Sequence, residues 1–310
     1  MTRPRTVADG DRTVHLHPRR QEPTSSPTRP EALEGRFDAF EPSRRKWLVR
    51  AALQMGLSPA EGMEKVKERL ARSCERVARH GQTPSYPPDE EWEKDLHALL
   101  GVPWPCAEAA EFPEMWSAVL DTMEARGLRV GRQSYGGEDD ADPGLARALW
   151  CLVCHLDPQR VVETGVAHGV SSRCILEALE HNGRGHLWSI DLPPLTIPER
   201  RPEIGAAVPM DLRGRWTYIE GSSRRRLPGL LKGCGQVELF FHDSRHTTRN
   251  TRWELQQAWP ALAPGGAAVS DDLDGNWGFE LFCKPLADGD ALHCGADDGE
   301  RLFGIAVKRT

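Results

Sequence analysis

Three aspartates and a histidine in the last third of the chain are the residue types that bind cations and move protons. Asp243 and His246 stand three positions apart, and Asp271 and Asp272 are adjacent. Carboxylates gathered in one pocket repel each other unless a cation neutralises them, and a hard ion such as Mg²⁺ takes such oxygen ligands. An imidazole titrates near neutral pH, which suits it to remove a proton from a hydroxyl during group transfer. Asp243, Asp271 and Asp272 are thus the expected metal set, with His246 and Asp243 as the expected catalytic pair. His246 could equally cap the helix that follows it or order the Asp243 carboxylate. His242 is expected to point into packing.

A second constellation is the stretch Val161-Val162-Glu163-Thr164-Gly165-Val166-Ala167-His168-Gly169. An apolar run ends in an acid, and Gly165 and Gly169 flank a turn that leads into a helix. Glycine lets a backbone approach a ligand closely, and a helix N-terminus favours a negative group. A nicotinamide-binding fingerprint would read GxGxxG. This turn reads ExGxxxG, and the next apolar run ends in Asp191.

The elements that position these residues alternate. Strands are predicted at 160–163, 186–190, 216–220, 236–241 and 266–270, with a last pair near 290–294 and 302–308. Helices are predicted to begin near Gly169, Ile197, Ser223 and Thr247, and one runs from Pro143 to Leu156. The fold class is therefore α/β, a Rossmann-like doubly wound sheet of about seven strands with a terminal antiparallel hairpin, preceded by a small helical segment. Ligands of such sheets bind beyond the carboxyl ends of the strands, where Glu163, Asp191, Asp243 and Asp271 all fall.

At this point the chain resembles the class I S-adenosylmethionine-dependent methyltransferases. Residues 161–169 look like their first motif, and His186-Leu187-Trp188-Ser189-Ile190-Asp191 is similar to their second. Leu239 to His246 resembles the fourth-strand motif, with Ser244-Arg245 where the family more commonly has Gly-Asp. Trp259-Pro260-Ala261-Leu262-Ala263-Pro264-Gly265-Gly266 is similar to the turn before the fifth strand. The resemblance implies that Glu163, Gly165 and Gly169 hold the amino-acid part of the cofactor, with His168 beside its carboxylate. It implies that Asp191 accepts hydrogen bonds from the ribose hydroxyls, as a carboxylate's two oxygens can. Ser222 and Ser223 would border the adenine, and Asp243 would also face the cofactor. The double acid Asp271-Asp272 is closest in pattern to the Mg²⁺-dependent macrolide-sugar O-methyltransferases, so Mg²⁺ is an expected second cofactor.

The chain has 310 residues and a net charge of −6, which argues against nucleic acid as a partner. No apolar run approaches the roughly 18 residues that span a bilayer, and a cytoplasmic protein is expected. Residues 1–42 read as a disordered tail, 43–134 as a helical lid or cap, and 135–310 as the methyltransferase domain. Helices are expected over about 43–57, 59–79, 89–100 and 113–126. The eight cysteines read as reduced thiols. Cys151 and Cys154, a CxxC pair beside His155, read as one buried helix face because a second metal-binding pair is missing. The expected partner is a small-molecule acceptor, and related enzymes often pair as homodimers. Three functions stay open: O-methylation of a small hydroxylated natural product or sugar, metal-independent N-methylation, and a non-catalytic scaffold that binds the cofactor.

Overall fold

A sheet buried on both faces needs apolar residues pointing both ways, and the strands supply them. Val161 joins one core and Val162 the other, and Leu239 and Phe241 oppose Phe240 in the same manner. The computed structural model describes residues 56, 58–78, 87–135, 139–192, 198–287, 289–297, 299 and 301–309. The expected tail and nearly all of the helix expected over about 43–57 lie outside the described residues.

In chain order come α1 (Pro59–Ala78), α2 (Trp92–Leu100), α3 (Ala107–Ala125), α4 (Pro143–Leu156), β1 (Arg160–Thr164), α5 (Val170–His181), β2 (His186–Asp191), β3 (Trp216–Glu220), α6 (Ser223–Cys234), β4 (Val237–His242), α7 (Thr248–Ala261), β5 (Leu262–Ser270), α8 (Gly278–Cys283), β6 (Ala291–Gly295) and β7 (Leu302–Val307). The sheet order is β3-β2-β1-β4-β5-β7-β6. The first five strands in that order are parallel, and β7 runs antiparallel to both β5 and β6. The strand order reverses between β1 and β4, which makes their carboxyl ends the switch point of the fold.

Some expectations shift. Only a 3₁₀ turn, Pro198–Glu203, forms where a helix was expected near Ile197. Helix α3 starts at Ala107 rather than 113 because Cys106 caps it, its sulfur accepting from Ala109 N–H at 3.3 Å. Thiols are unusual caps, and Pro113 within the helix masked the true start. Helices α2 and α3 do not stand apart as a separate layer. Trp92 packs edge-on against Phe303 of β7 at 5.2 Å, and Arg147 of α4 binds Glu93 at 2.5 Å and Asp297 at 3.2 Å. Phe112, Val119 and Met123 enter the same core as α4 and α5.

The carboxyl ends of β1 and β4 are tied to α7 by a buried polar hub. His242 Nδ1 lies 2.6 Å from Glu254 Oε2, and its Nε2 lies 2.9 Å from the Thr251 hydroxyl. Thr164, Ser244 and Asn250 donate to the same carboxylate at 2.5, 2.8 and 2.8 Å. His242 thus packs inward, as its strand position predicts. Burial alone would raise the Glu254 carboxyl, but the His242 charge and these donors hold it down at about 2. A carboxyl depressed below its ordinary value of 4.5 stabilises the fold above that pH and loses its contribution as the pH falls towards 2. Glu254→Gln should therefore lower stability at pH 7 by about 3 kcal/mol, and the difference from the parent should shrink below pH 4. Urea denaturation at several pH values measures this; a difference that does not change with pH contradicts it.

Candidate cofactor and acceptor site

Four hydrogen bonds carry the ladder one step past the carboxyl ends of the strands. Gly221 N–H donates to Asp191 O at 2.8 Å, Gly165 N–H to Ile190 O at 2.9 Å, Asp243 N–H to Thr164 O at 2.8 Å and Asp271 N–H to His242 O at 3.0 Å. They set Asp191, the glycine turn, Asp243 and Asp271 along one edge of the sheet. At the switch point the fit is closest. Gly165 has φ +92°, and a Cβ there would stand 1.8 Å from the Asp243 carbonyl oxygen. Any larger residue would push the ends of β1 and β4 apart.

Three residues expected at the cofactor turn inward instead. Glu163 is fully buried, and its two oxygens accept the hydroxyls of Ser171 at 2.8 Å, Ser172 at 2.6 Å and Ser189 at 2.6 Å. Burial pushes this carboxyl up to about 7 despite those donors. His168 is also fully buried, with Nδ1 3.1 Å from Asp140, Nε2 3.5 Å from Glu203 and its ring edge-on to Tyr135 at 5.0 Å. It fastens the glycine turn to the segment before α4 and to the β2–β3 connection. Ser223 bonds Glu254 and so joins the hub on α7. Gly169, at φ +79°, has the Gly205 Cα 2.9 Å from where its Cβ would stand, so it brings the β2–β3 connection against the turn. Ser222 sits at the start of α6 and is buried.

Asp191 ends β2 beside Glu220 of β3. Burial pushes its carboxyl up to about 6, with a further push from Glu220. Tyr135 and Tyr218 both feel its charge, and among the described residues neither buried tyrosine hydroxyl has a hydrogen-bond partner. A cavity of about 200 Å³ opens here, lined by Arg201, Ile204, Arg213, Trp216, Tyr218 and Glu220. Arg201 pairs with Glu220, and the Arg200 guanidinium lies 5.9 Å from the Tyr135 ring. The sequence reading passed over Tyr218, Arg201 and Glu203. Tyr218 could have been found, since period-two alternation puts it on the same face of β3 as Glu220.

Asp243, Asp271 and Asp272 stand at the ends of β4 and β5. Burial and then the charges of Asp271 and Asp272 raise the Asp243 carboxyl well above its ordinary value. Burial and then Asp272 push Asp271 up to about 7. His246 lies between two of them, with Nε2 3.3 Å from Asp272 and 3.8 Å from Asp243. Asp272 holds φ +53°, in the left-handed region, where it leads into the 3₁₀ turn Leu273–Gly275. Asn276 donates to its carbonyl at 3.1 Å, whereas Asp274 accepts from Leu302 N–H at 3.4 Å, so these two residues build the turn. Among the described residues, the donor trios whose ligand atoms all lie within 4.8 Å of one another occur elsewhere, and the three aspartates are not one of them.

Residues 162–273 match the family model described as "Methyltransferase domain". The matched stretch runs from β1 to the turn after β5 and so covers the parallel part of the doubly wound sheet. A comparison with curated proteins finds no match. Among solved structures, an O-methyltransferase from Bacillus cereus in complex with S-adenosylhomocysteine is 17% identical, with a TM-score of 0.46, covering 69% of this chain and 96% of its own. TomG, an O-methyltransferase from Streptomyces achromogenes involved in tomaymycin synthesis and bound to S-adenosylmethionine, is 16% identical, with a TM-score of 0.46 and coverages of 64% and 90%. Cofactor-bound Rv0187 from MTB is 19% identical, with a TM-score of 0.47 and coverages of 74% and 99%. At these identities and scores, what those proteins bind is a statement about them. No helix among the described residues is long and apolar enough to cross a membrane.

The switch-point contact generates a direct test. Gly165→Ala should destabilise the protein by about 3 kcal/mol or more, because backbone lies where the new methyl must go. Gly214→Ala, where nothing lies within 4 Å, should change stability by no more than about 0.5 kcal/mol. Thermal unfolding of the two variants checks this, and equal melting temperatures would contradict the assignment.

Proposed function

We propose that this domain transfers the methyl group of S-adenosylmethionine to a hydroxyl oxygen of a small hydroxylated acceptor, a natural product or sugar, with His246 as the general base. The observation that carries the reading is the position of His246. Its Nε2 stands 3.3 Å from Asp272 and 3.8 Å from Asp243, at the same strand ends as the glycine turn and Asp191. The two carboxylates orient the imidazole and stabilise the positive charge it gains on accepting the acceptor's proton.

The cofactor's place is supported by the surroundings of Asp191. A largely enclosed carboxylate with a raised pKa, beside two tyrosine hydroxyls that have no partner among the described residues, suits a vicinal diol that donates to both oxygens. Glu163, His168 and Ser223 act indirectly, by fixing the turn and the helix starts around that pocket. Transfer then depends on holding the methyl group and the acceptor oxygen in line.

In charge and donor type, Asp243, Asp271 and Asp272 fit Mg²⁺, since burial and then the charges of Asp271 and Asp272 raise the Asp243 carboxyl. Their ligand atoms do not all lie within 4.8 Å of one another, so an ion would need these side chains to move closer. When bound, such an ion would hold acceptor hydroxyls and favour their ionised form. The wide spacing favours a second reading in which His246 works without a metal, on oxygen or on nitrogen.

Methyl transfer from labelled S-adenosylmethionine to a panel of phenols, catechols, sugars and amines tests the proposal. His246→Ala should lower kcat by about 10²–10⁴-fold on a hydroxylated acceptor, with binding of S-adenosylhomocysteine retained. Transfer to amines alone, or an unchanged kcat in His246→Ala, would overturn it. A Mg²⁺ stimulation that disappears in Asp272→Ala would separate the metal-assisted reading from the metal-free one.

A further inference from the structure

We propose that a thiophilic d¹⁰ cation, for which Zn²⁺ is the probe, binds inside the α2–α3–α4 layer on His97 Nε2, Cys106 Sγ and Cys151 Sγ, with His155 Nε2 closing the fourth position. The three donors come from three separate elements: His97 ends α2, Cys106 caps α3 and Cys151 lies on α4. All three are buried, and their ligand atoms lie within 4.8 Å of one another, with His97 Nε2 3.2 Å from Cys106 Sγ. A tetrahedral zinc site, with Zn–S of about 2.3 Å and Zn–N of about 2.0 Å, sets its ligand atoms roughly 3.5–3.8 Å apart. The trio therefore closes on such an ion with shifts of about an ångström or less.

The imidazole is already set for ligation. His97 Nδ1 lies 2.6 Å from the Glu93 carbonyl, which can only accept, so the proton sits on Nδ1 and the lone pair of Nε2 faces the sulfur. The Ala109 N–H that caps through Cys106 would remain bonded to the sulfur once that sulfur binds a cation. A second observation points to a ligand here. His155 Nε2, on a side chain only 10% exposed, has no hydrogen-bond partner among the described residues. It belongs to a neighbouring trio with Cys106 and Glu108, also within 4.8 Å, and its ring meets that of His97 at 5.1 Å. A dication on two thiolates and two neutral imidazoles carries no net charge, which suits a buried site.

Binding replaces the two thiol protons, so each cation that enters releases two protons and forms two metal–thiolate bonds. No oxidation state changes. The CxxC pair therefore contributes Cys151 to a site whose other donors lie far away in sequence, which is why the spacing of Cys151 and Cys154 alone reads as packing. The site lies in the helical layer and its occupancy is independent of methyl transfer.

The test uses the full-length reduced chain, refolded with and without Co²⁺ as a spectroscopic probe and then titrated with Zn²⁺. The expected result is one equivalent of Co²⁺ with intense tetrahedral d–d bands and a thiolate-to-cobalt charge-transfer band, both abolished by Zn²⁺. Cys151→Ser should lose the charge-transfer intensity and bind at least about 100-fold more weakly. Cys74→Ser, an exposed thiol on α1, should bind as the parent does. Circular dichroism confirms that each variant is folded, and His97→Gln serves as a second probe if Cys151→Ser is not. Folded protein without a charge-transfer band, equal bands in Cys151→Ser, or a Cys106–Cys151 disulfide in protein purified without reductant would each overturn the proposal.

Discussion

Everything at this site depends on how closely β1 and β4 approach at the switch point. The Asp243 carbonyl occupies the space a Gly165 side chain would need, with 1.8 Å between its oxygen and an ideal Cβ. Because the turn passes so near, the hydrogen-bond ladder continues one residue beyond four strand pairs and sets Asp191, Asp243 and Asp271 along one edge. A single methyl group at position 165 would disturb that whole line. The reversal of strand order makes the crevice, and the missing side chain at position 165 lets the turn close tightly against it.

Two buried carboxylates show how the same residue type is used in opposite ways on either side of this contact. Glu254 has an imidazole 2.6 Å away and stays ionised down to about pH 2. Glu163 has three hydroxyls and, among the described residues, no ion-pair partner, and burial carries it to about 7. Glu254 holds β1 and β4 to α7 by charge, whereas Glu163 holds β1, β2 and α5 by hydrogen bonds that serve either protonation state. Together they brace the glycine turn from both faces of the sheet.

Much of the fold was legible in the sequence. Apolar strand runs and the turns between them gave the parallel sheet, and Gly165 and Asp191 fell at strand ends as expected. What the sequence hid was the direction of side chains at those ends. Glu163, His168 and Ser223 looked like ligand contacts because of where they stand along the chain, yet serines, Asp140 and Glu254 claim them. These partners lie on other elements, up to 31 positions away in the case of Ser223 and Glu254, and no local pattern announces them. Tyr135, which the sequence places where a lid could close on the cofactor, comes from the segment before α4 to pack on His168. Helix α8 escaped notice because it has only six residues, too few for a helical period to show.

The central claim is that the enclosed carboxylate of Asp191, with Tyr135 and Tyr218 around it, holds the cofactor's ribose. Calorimetric titration of the folded protein with S-adenosylhomocysteine, beside Asp191→Ala, measures this most directly. The account predicts one site per chain in the parent, with affinity reduced at least about 100-fold in the variant through the loss of two charge-assisted hydrogen bonds. Folded parent protein that gives no heat of binding, or an Asp191→Ala variant that binds as tightly as the parent, would contradict it.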